Sequence, residues 1–193
     1  MRQVSRYHPL LVTLHWILAL LIIAALALGA LVMVKIPNND PMKLEALRSH
    51  MAGGMLILLL MLARLVVRIR TQHPAPASTG NPALNLMAWT SQRLFYLAVF
   101  GMAASGMFMA LQADLSTVLF GSGGALPVDF WVFPARTIHY LFSRLVVVLI
   151  ALHVTGALYH TLVLKDGLLR RMFFGRRFVA KTDTAPVIAR RAF

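Results

Sequence analysis

The chain has 193 residues with a formal net charge of +13, and 59% of its residues are hydrophobic, which gives a mean hydropathy of +0.74. This composition is more apolar than that of soluble domains and indicates a membrane protein built as one compact bundle. The absence of cysteine excludes disulfides, thiolate metal sites, iron–sulfur clusters and thioether-linked haem.

Four apolar runs predict an all-α protein with four transmembrane helices. The runs cover residues 10–34, 50–67, 92–111 and 137–164. A signal peptide is the alternative for the first run, because the sequence Ala25, Leu26, Ala27 resembles a cleavage site. The run is longer than a typical signal core, and cleavage would remove His15, so we favour a span.

The segments between the runs predict one helical lead-in and two loops. Residues 35–49 begin as a polar connection and end as a helical lead-in, whereas residues 71–88 and 112–136 contain several prolines and glycines and predict loops. We expect residues 1–178 to form the membrane domain and residues 179–193 to form a basic, disordered tail.

The distribution of charge predicts how the bundle is oriented. Most of the 19 Lys and Arg residues lie in the N-terminal segment, the second connection and the C-terminal tail, which four spans place on one side. Because cytoplasmic loops are enriched in Lys and Arg, we predict that both termini are cytoplasmic. This topology explains the charge of +13, and no nucleic-acid-binding module accompanies it, so we expect no nucleic-acid partner.

The last apolar run carries three histidines, His139, His153 and His160, separated by fourteen and seven residues. At about 100° per residue these spacings place all three on one stripe of a helix, with His139 and His153 roughly 21 Å apart along its axis. Ionisable groups inside a membrane are costly and usually face the interior of a bundle, where they have a function. The stripe therefore predicts ligands for two metal centres at two depths.

Two histidines in other spans lie at matching depths. Successive spans alternate in direction, so His50 lies at the outer end of the second span and His15 lies near the inner end of the first. His50 is therefore level with His139, and His15 is level with His153. Pairs of histidines from facing helices suit a haem iron held between the helices, and we predict two non-covalent haems at these levels.

Two alternatives remain open for these histidines. Each one could be a lone polar residue whose hydrogen bonds are satisfied inside the bundle, or the set could bind zinc. Zinc prefers four ligands at one level, commonly with cysteine or carboxylate. The sequence offers two histidines per level and no acid within the spans, which favours a porphyrin.

Residues near the histidines fit the same interpretation. Gly53 and Gly54 follow His50 by about one helical turn and would let a flat macrocycle approach, although small residues also serve plain helix packing. Arg64 lies fourteen residues after His50 and faces the same way at the inner level. We predict that Arg64 binds the propionates of the inner haem, and an interfacial arginine that snorkels is the alternative.

His160 lies one step further inward than His153, with Lys165 and Asp166 just beyond it. A quinone headgroup at this place would need a donor to its carbonyl and a proton on reduction, and histidine supplies both. We therefore predict a quinone site at His160, with a simple interfacial histidine as the alternative.

These residues together resemble the bacterial cytochrome b561 family. The resemblance rests on His15 with Trp16, His50 with Gly54, Arg64, Arg68, His139, His153, His160, Lys165 and Asp166, and it covers residues 6–172. It implies a four-helix bundle of the bacterial inner membrane that holds two b-type haems. By this resemblance the axial ligands are His15, His50, His139 and His153.

The resemblance extends to family members that oxidise superoxide. It implies that electrons enter at the periplasmic haem and leave from the inner haem to ubiquinone, with His160 and Lys165 at the quinone site. Arg48 and Arg136 flank the outer histidines and would attract the superoxide anion.

Two rival functions remain. The first is a cytochrome b subunit that anchors a periplasmic dehydrogenase or hydrogenase and connects it to the quinone pool, which the short outer loops disfavour. The second is a structural or transport bundle without haem, which an absorption spectrum would distinguish.

Overall fold

The computed structural model describes residues 2–121 and 124–180. Within these residues the α-helices are α1 (Pro9–Ala27), α2 (Pro41–Arg70), α3 (Pro82–Gln112), α4 (Leu115–Phe120) and α5 (Pro134–Tyr159). A π-helical turn, Leu28–Val32, and a 3-10 turn, Met33–Lys35, extend α1, and a π-helical turn, His160–Leu164, extends α5. Two further 3-10 turns cover Phe130–Val132 and Leu168–Met172, and two short strands are β1 (Arg2–Val4) and β2 (Phe178–Ala180).

Four helical segments are long and apolar enough to cross a membrane. They are Pro9–Lys35, Pro41–Arg70, Pro82–Gln112 and Pro134–Leu164. Each has 27 to 31 residues, more than the roughly 20 that a bilayer requires. At most 17% of the most apolar window of any segment is buried inside the protein, so most of their apolar side chains face outward, as lipid requires. The prediction of an all-α transmembrane four-helix bundle is confirmed.

The third span begins earlier than the sequence analysis predicted. Residues 71–88 were expected to form a loop, but α3 starts at Pro82. The side chain of Asn81 accepts hydrogen bonds from the backbone N–H groups of Ala83 and Leu84, and proline is well suited to the first helical position because its missing N–H is not needed there. Pro82 therefore starts the helix, where the prediction took it for a loop residue.

The second predicted loop, residues 112–136, contains the short helix α4. Leu115 and Leu119, four residues apart on α4, are almost completely buried against Leu47 of α2. The guanidinium of Arg48 donates two hydrogen bonds to the carbonyl of Leu119, from Nε at 3.0 Å and from Nη2 at 2.7 Å. Burial of this leucine pair and the arginine contact explain why a helix replaces the predicted loop.

The main core lies where α1, α2, α3 and α5 meet. Its buried side chains are Leu18, Ile57, Met61, Ala98, Val99, Val146 and Leu149. The most extensive helix–helix contact joins α3 and α5. Gly101 of α3 lies directly against the ring of Phe142 of α5, since a Cβ added at Gly101 would be 2.3 Å from Phe142 Cζ. The missing side chain at Gly101 lets these two helices approach closely.

Both described ends of the chain meet at one end of the bundle, which we call the inner end. Strand β1 pairs antiparallel with β2, so that Gln3 is opposite Val179. Trp16 Nε1 donates to the carbonyl of Met172 at 2.9 Å, and the Ser5 N–H donates to the carbonyl of Arg177 at 2.8 Å. This short sheet is an addition to the predicted all-α bundle. Residues 181–193 of the predicted tail lie outside the described residues.

Replacing Gly101 by alanine is expected to destabilise the bundle. The added Cβ would overlap the ring of Phe142, which packs against the main core, and overpacking of this kind costs about 1–3 kcal/mol. The midpoint of thermal unfolding in detergent should fall, and Phe142→Leu in the Gly101→Ala background should recover part of the loss. An unchanged midpoint for Gly101→Ala alone would contradict this account.

Candidate functional site

The outer pair of histidines joins α2 and α5. The ring centroids of His50 and His139 are 6.1 Å apart, and the ring planes are inclined by 74°. Because a metal–imidazole bond is about 2 Å long, two imidazoles that bind one metal atom from opposite sides have centroids roughly 6 Å apart. The sequence analysis predicted this pair from depth alone, and the structure brings the two residues together.

His139 is oriented by α3, a helix that contains no histidine. The Nδ1 of His139 lies 3.0 Å from the carbonyl oxygen of Met102 and 3.2 Å from Oγ of Ser105. A carbonyl oxygen only accepts, so Nδ1 carries the proton and donates it to Met102. This tautomer leaves Nε2 with a lone pair for a metal, and a hydrogen bond of this kind is the usual support of a metal-binding histidine.

His50 has a different environment. Its Nδ1 is buried and has no hydrogen-bond partner among the described residues. Gly29 of the first span lies beside it, since an added Cβ would be 3.7 Å from His50 Cε1. A buried polar atom without a partner is costly in a protein interior, so His50 fits a role in binding a group that the chain itself does not contain.

The inner pair joins α1 and α5. The ring centroids of His15 and His153 are 6.0 Å apart, with an interplanar angle of 66°. Phe95 of α3 contacts His153 edge-on at 5.8 Å, and Trp16 contacts His15 at 5.3 Å. The inner pair therefore has almost the same separation as the outer pair and is flanked by aromatic rings.

The geometry distinguishes between zinc and haem iron, the two metals that the sequence analysis left open. No cluster of three or more His, Cys, Asp or Glu side chains that could hold a metal ion occurs among residues 2–121 and 124–180. A zinc site needs about four such ligands. Two opposed imidazoles at each of two levels suit a metal whose other ligands come from a porphyrin.

Glycines leave open space beside the histidines. Gly53 and Gly54 follow His50 by three and four residues, and Gly156 follows His153 by three, so each shares a helix face with its histidine. A Cβ added at any of these three glycines would meet nothing within 4 Å. The helix surface next to a histidine is therefore flat and open at both levels, which fits the face of a macrocycle.

Arg64 is half-buried and contacts Tyr96. Its Nη1 donates to the Tyr96 hydroxyl at 2.5 Å, and its guanidinium carbon lies 5.5 Å from the centre of the same ring. The sequence analysis did not identify Tyr96, and nothing in the spacing of the sequence indicated it. Tyr96 holds Arg64 in a defined position, and propionate binding by Arg64 stays a prediction.

The structure pairs His160 with Asp166. His160 is 7% exposed, and its Nδ1 lies 2.6 Å from Oδ2 of Asp166. Asp166 also accepts the backbone N–H of Leu168 at 2.9 Å. The chain can make this contact because Lys165 and Gly167 both adopt left-handed backbone angles, with φ of 51° and 70°, which turns the chain back beneath the end of α5.

Lys165 lies on a surface cleft beside this pair. The cleft has a volume of about 370 Å³ and is lined by Thr161, Lys165, Asp166, Gly167, Leu169 and Arg170. Asp166 therefore belongs both to the cleft and to the contact with His160. The predicted residues His160 and Lys165 lie at one end of the bundle, and Asp166 connects the buried imidazole to the cleft.

A membrane bundle with opposed histidine pairs is the architecture of a transmembrane electron-transfer cytochrome. The family model described as prokaryotic cytochrome b561 matches residues 6–175. The chain belongs to the prokaryotic cytochrome b561 family. It is accordingly a multi-pass membrane protein that transfers electrons through b-type haem, and the predicted family is confirmed.

Two curated relatives align with the chain over most of its length. The chain is 27% identical over 176 residues to "Cytochrome b561 homolog 2" of Escherichia coli strain K12, an alignment that covers 87% of this chain and 91% of the relative. It is 27% identical over 178 residues to "Probable superoxide oxidase CybB" of Yersinia pestis, covering 90% of this chain and 98% of the relative. The second name indicates oxidoreductase activity in a relative of the same size.

Filling the space beside the histidines should reduce haem content. We expect Gly54→Leu or Gly156→Leu to lower the Soret absorbance per protein to about half, because each leucine would occupy the open helix face at one level only. Ala52→Leu and Ala151→Leu, at exposed positions on the same helices, are the matched controls and should retain full absorbance. Equal losses in the glycine variants and the controls would contradict this assignment of the open faces.

Proposed function

We propose that the chain carries electrons across the inner membrane, from superoxide at the periplasmic side to ubiquinone near the cytoplasmic side. In this proposal His50 and His139 hold the outer haem b, and His15 and His153 hold the inner one. The observation that supports it best is the presence of two opposed imidazole pairs, with centroids 6.1 and 6.0 Å apart, at two levels of one bundle.

Haem b bound at each pair supplies a reversible one-electron iron couple. The reaction balances because the oxidation of two superoxide anions to two O₂ releases two electrons, and the reduction of one ubiquinone to ubiquinol consumes these two electrons and two protons. The residues of the chain therefore have three tasks: they orient the ligands, attract the anionic donor at one end, and supply protons at the other.

Arg136 is the stronger candidate for attracting superoxide. Its guanidinium carbon lies 4.5 Å from the ring centre of Trp131 at the outer end, and an arginine stacked on an aromatic ring keeps its full charge. The guanidinium of Arg48 is instead engaged by the carboxylate of Glu45 and the carbonyl of Leu119. The name of the Yersinia pestis relative supports superoxide as the donor.

The pair formed by His160 and Asp166 suits the reduction of a quinone. Desolvation alone would raise the pKa of the Asp166 carboxyl, but hydrogen bonds from His160 and from the Leu168 N–H, with the charge of Arg171, hold it below its usual value. Asp166 therefore stays ionised near neutral pH and accepts a hydrogen bond from His160 Nδ1. Once protonated at both nitrogens beside the ionised Asp166, His160 would donate the Nε2 proton to a quinone carbonyl, and protons from the inner cleft, where Lys165 adds positive charge, would replace it.

The distribution of basic residues supports the proposed orientation. The inner end carries the arginines of the N-terminal segment, of the end of α2 and of the segment after α5, and such residues favour the cytoplasmic side. We therefore propose that both termini are cytoplasmic and that the quinone site faces the inner leaflet.

Substitution of single histidines should separate the two haems. His50→Ala or His139→Ala should remove the outer haem, and His15→Ala or His153→Ala the inner one, because each substitution leaves one level intact. Redox titration of the purified variants should then show one b-type component where the unmodified protein shows two. His8→Ala, which alters a histidine that caps the start of α1, is the control and should retain both. Variants of His50 and His139 that lose different components would contradict the pairing.

Stopped-flow mixing with superoxide tests the direction of transfer. The haem of the unmodified protein should be reduced faster than superoxide dismutates, and added ubiquinone should be converted to ubiquinol. His160→Ala should leave the reduction of haem unchanged but slow ubiquinol formation on the order of 100-fold, the usual loss when a general acid is removed. His73→Ala, at an exposed inner position, is the control. If superoxide does not reduce the haem ahead of dismutation, the proposed donor is wrong.

A further inference from the structure

A second cleft at the inner end is lined by four arginines. It has a volume of about 390 Å³, and its lining includes Arg6, Arg170, Arg171 and Arg176 together with Ser5 and Asp166. It is formed where the N-terminal segment crosses the chain that follows α5. Arg171 helps to keep Asp166 ionised and Arg170 also lines the first cleft, but no role described above uses the four arginines as a group.

Arg6 holds the cleft together through its backbone contacts. Its Nη1 donates to the carbonyls of Arg170 at 2.9 Å, Phe173 at 3.1 Å and Phe174 at 3.0 Å. Gly175 permits this arrangement, because its φ of 151° is unfavourable for other residues and an added Cβ would lie 2.9 Å from Arg6 Cζ. The guanidinium is thus fixed at the wall of the cleft.

Among the described residues, Asp166 is the single acid against the four arginines of the cleft lining, so the cleft keeps a net positive charge. None of the four arginines forms a salt bridge within residues 2–121 and 124–180. Asp166 is the acid in the lining, and it is already engaged by His160 at 2.6 Å. Arg171 donates to the carbonyl of Ala75 at 2.7 Å, a contact that orients it without removing its charge. Clustered guanidinium groups of this kind match the geometry of a phosphate.

Exposed aromatic side chains border the same arginines. In residues 170–178 the arginine pairs alternate with apolar residues, and Phe173, Phe174 and Phe178 are 50%, 65% and 45% exposed. Phe173 contacts the ring of Trp16 at 5.5 Å, close to where α1 enters the apolar region. Aromatic and basic residues side by side are typical of the boundary between lipid and water. A phosphate in this cleft would therefore be attached to a lipid.

We propose that this cleft binds the phosphate headgroup of an acidic phospholipid of the inner leaflet. The arginines contact the phosphate, and the neighbouring phenylalanines contact the upper part of the acyl chains. The bound lipid stabilises the junction between the N-terminal segment and the chain after α5. This inference does not rest on the electron donor, the quinone or the haem ligands proposed above.

The test compares two double variants of the haem-loaded, delipidated protein in detergent. Arg170→Gln with Arg176→Gln removes two exposed arginines of the cleft, and Arg70→Gln with Arg93→Gln removes the same charge from exposed inner positions outside it. Native mass spectrometry and thermal unfolding are followed with phosphatidylglycerol, cardiolipin, phosphatidylcholine and inorganic phosphate. The two anionic lipids should bind the unmodified protein and raise its unfolding midpoint, whereas phosphatidylcholine should not.

The cleft variant should bind the anionic lipids about thirtyfold more weakly, as expected for the loss of two arginines at an anionic surface, and the control should bind as the unmodified protein does. Equal weakening in both variants would show diffuse attraction and overturn the proposal. Protection by inorganic phosphate equal to that by lipid would show a soluble-anion site and would also overturn it. Failure of the anionic lipids to bind more tightly than phosphatidylcholine would have the same consequence.

Discussion

The close approach of α3 to α5 is the contact on which the candidate site depends. Gly101 admits the ring of Phe142. The carbonyl of the next residue, Met102, and the hydroxyl of Ser105, one turn further along α3, reach Nδ1 of His139. A turn and a half before Gly101, Phe95 of the same helix contacts His153. Helix α3 thus provides no predicted ligand, yet it orients both histidines of α5.

Because of the spacing of histidines along α5, the single contact between α3 and α5 orients histidines at two depths of the bundle. His139 and His153 are fourteen residues apart on one stripe, so a single helix presents one imidazole to His50 of α2 and the other to His15 of α1 at different depths. Because α1 and α2 run in opposite directions, each of them can place one histidine at one of these levels. The separations of the two pairs are nearly equal, 6.0 Å at the inner level and 6.1 Å at the outer level.

Features that depend on periodicity along the chain could be predicted from the sequence. The four spans and the depth pairing of His15 with His153 are of this kind, since both follow from residue spacing and the thickness of a bilayer. Features that depend on contacts between distant segments could not. The Met102 carbonyl is a backbone group with no signature in the sequence, and Tyr96 meets Arg64 only after two helices pack. The start of α3 at Pro82 was missed because proline marks both loops and the first turn of helices.

The pairing of the two ends of the chain has a consequence for biogenesis. Strand β1 contains residues near the N-terminus, but its partner β2 lies after the last span. During synthesis β1 therefore cannot pair with β2 until nearly the whole polypeptide has left the ribosome. The inner junction, with the Trp16 contact to Met172, therefore forms last. A chain truncated after its fourth span would be inserted in the membrane but would lack the contacts that join its two ends.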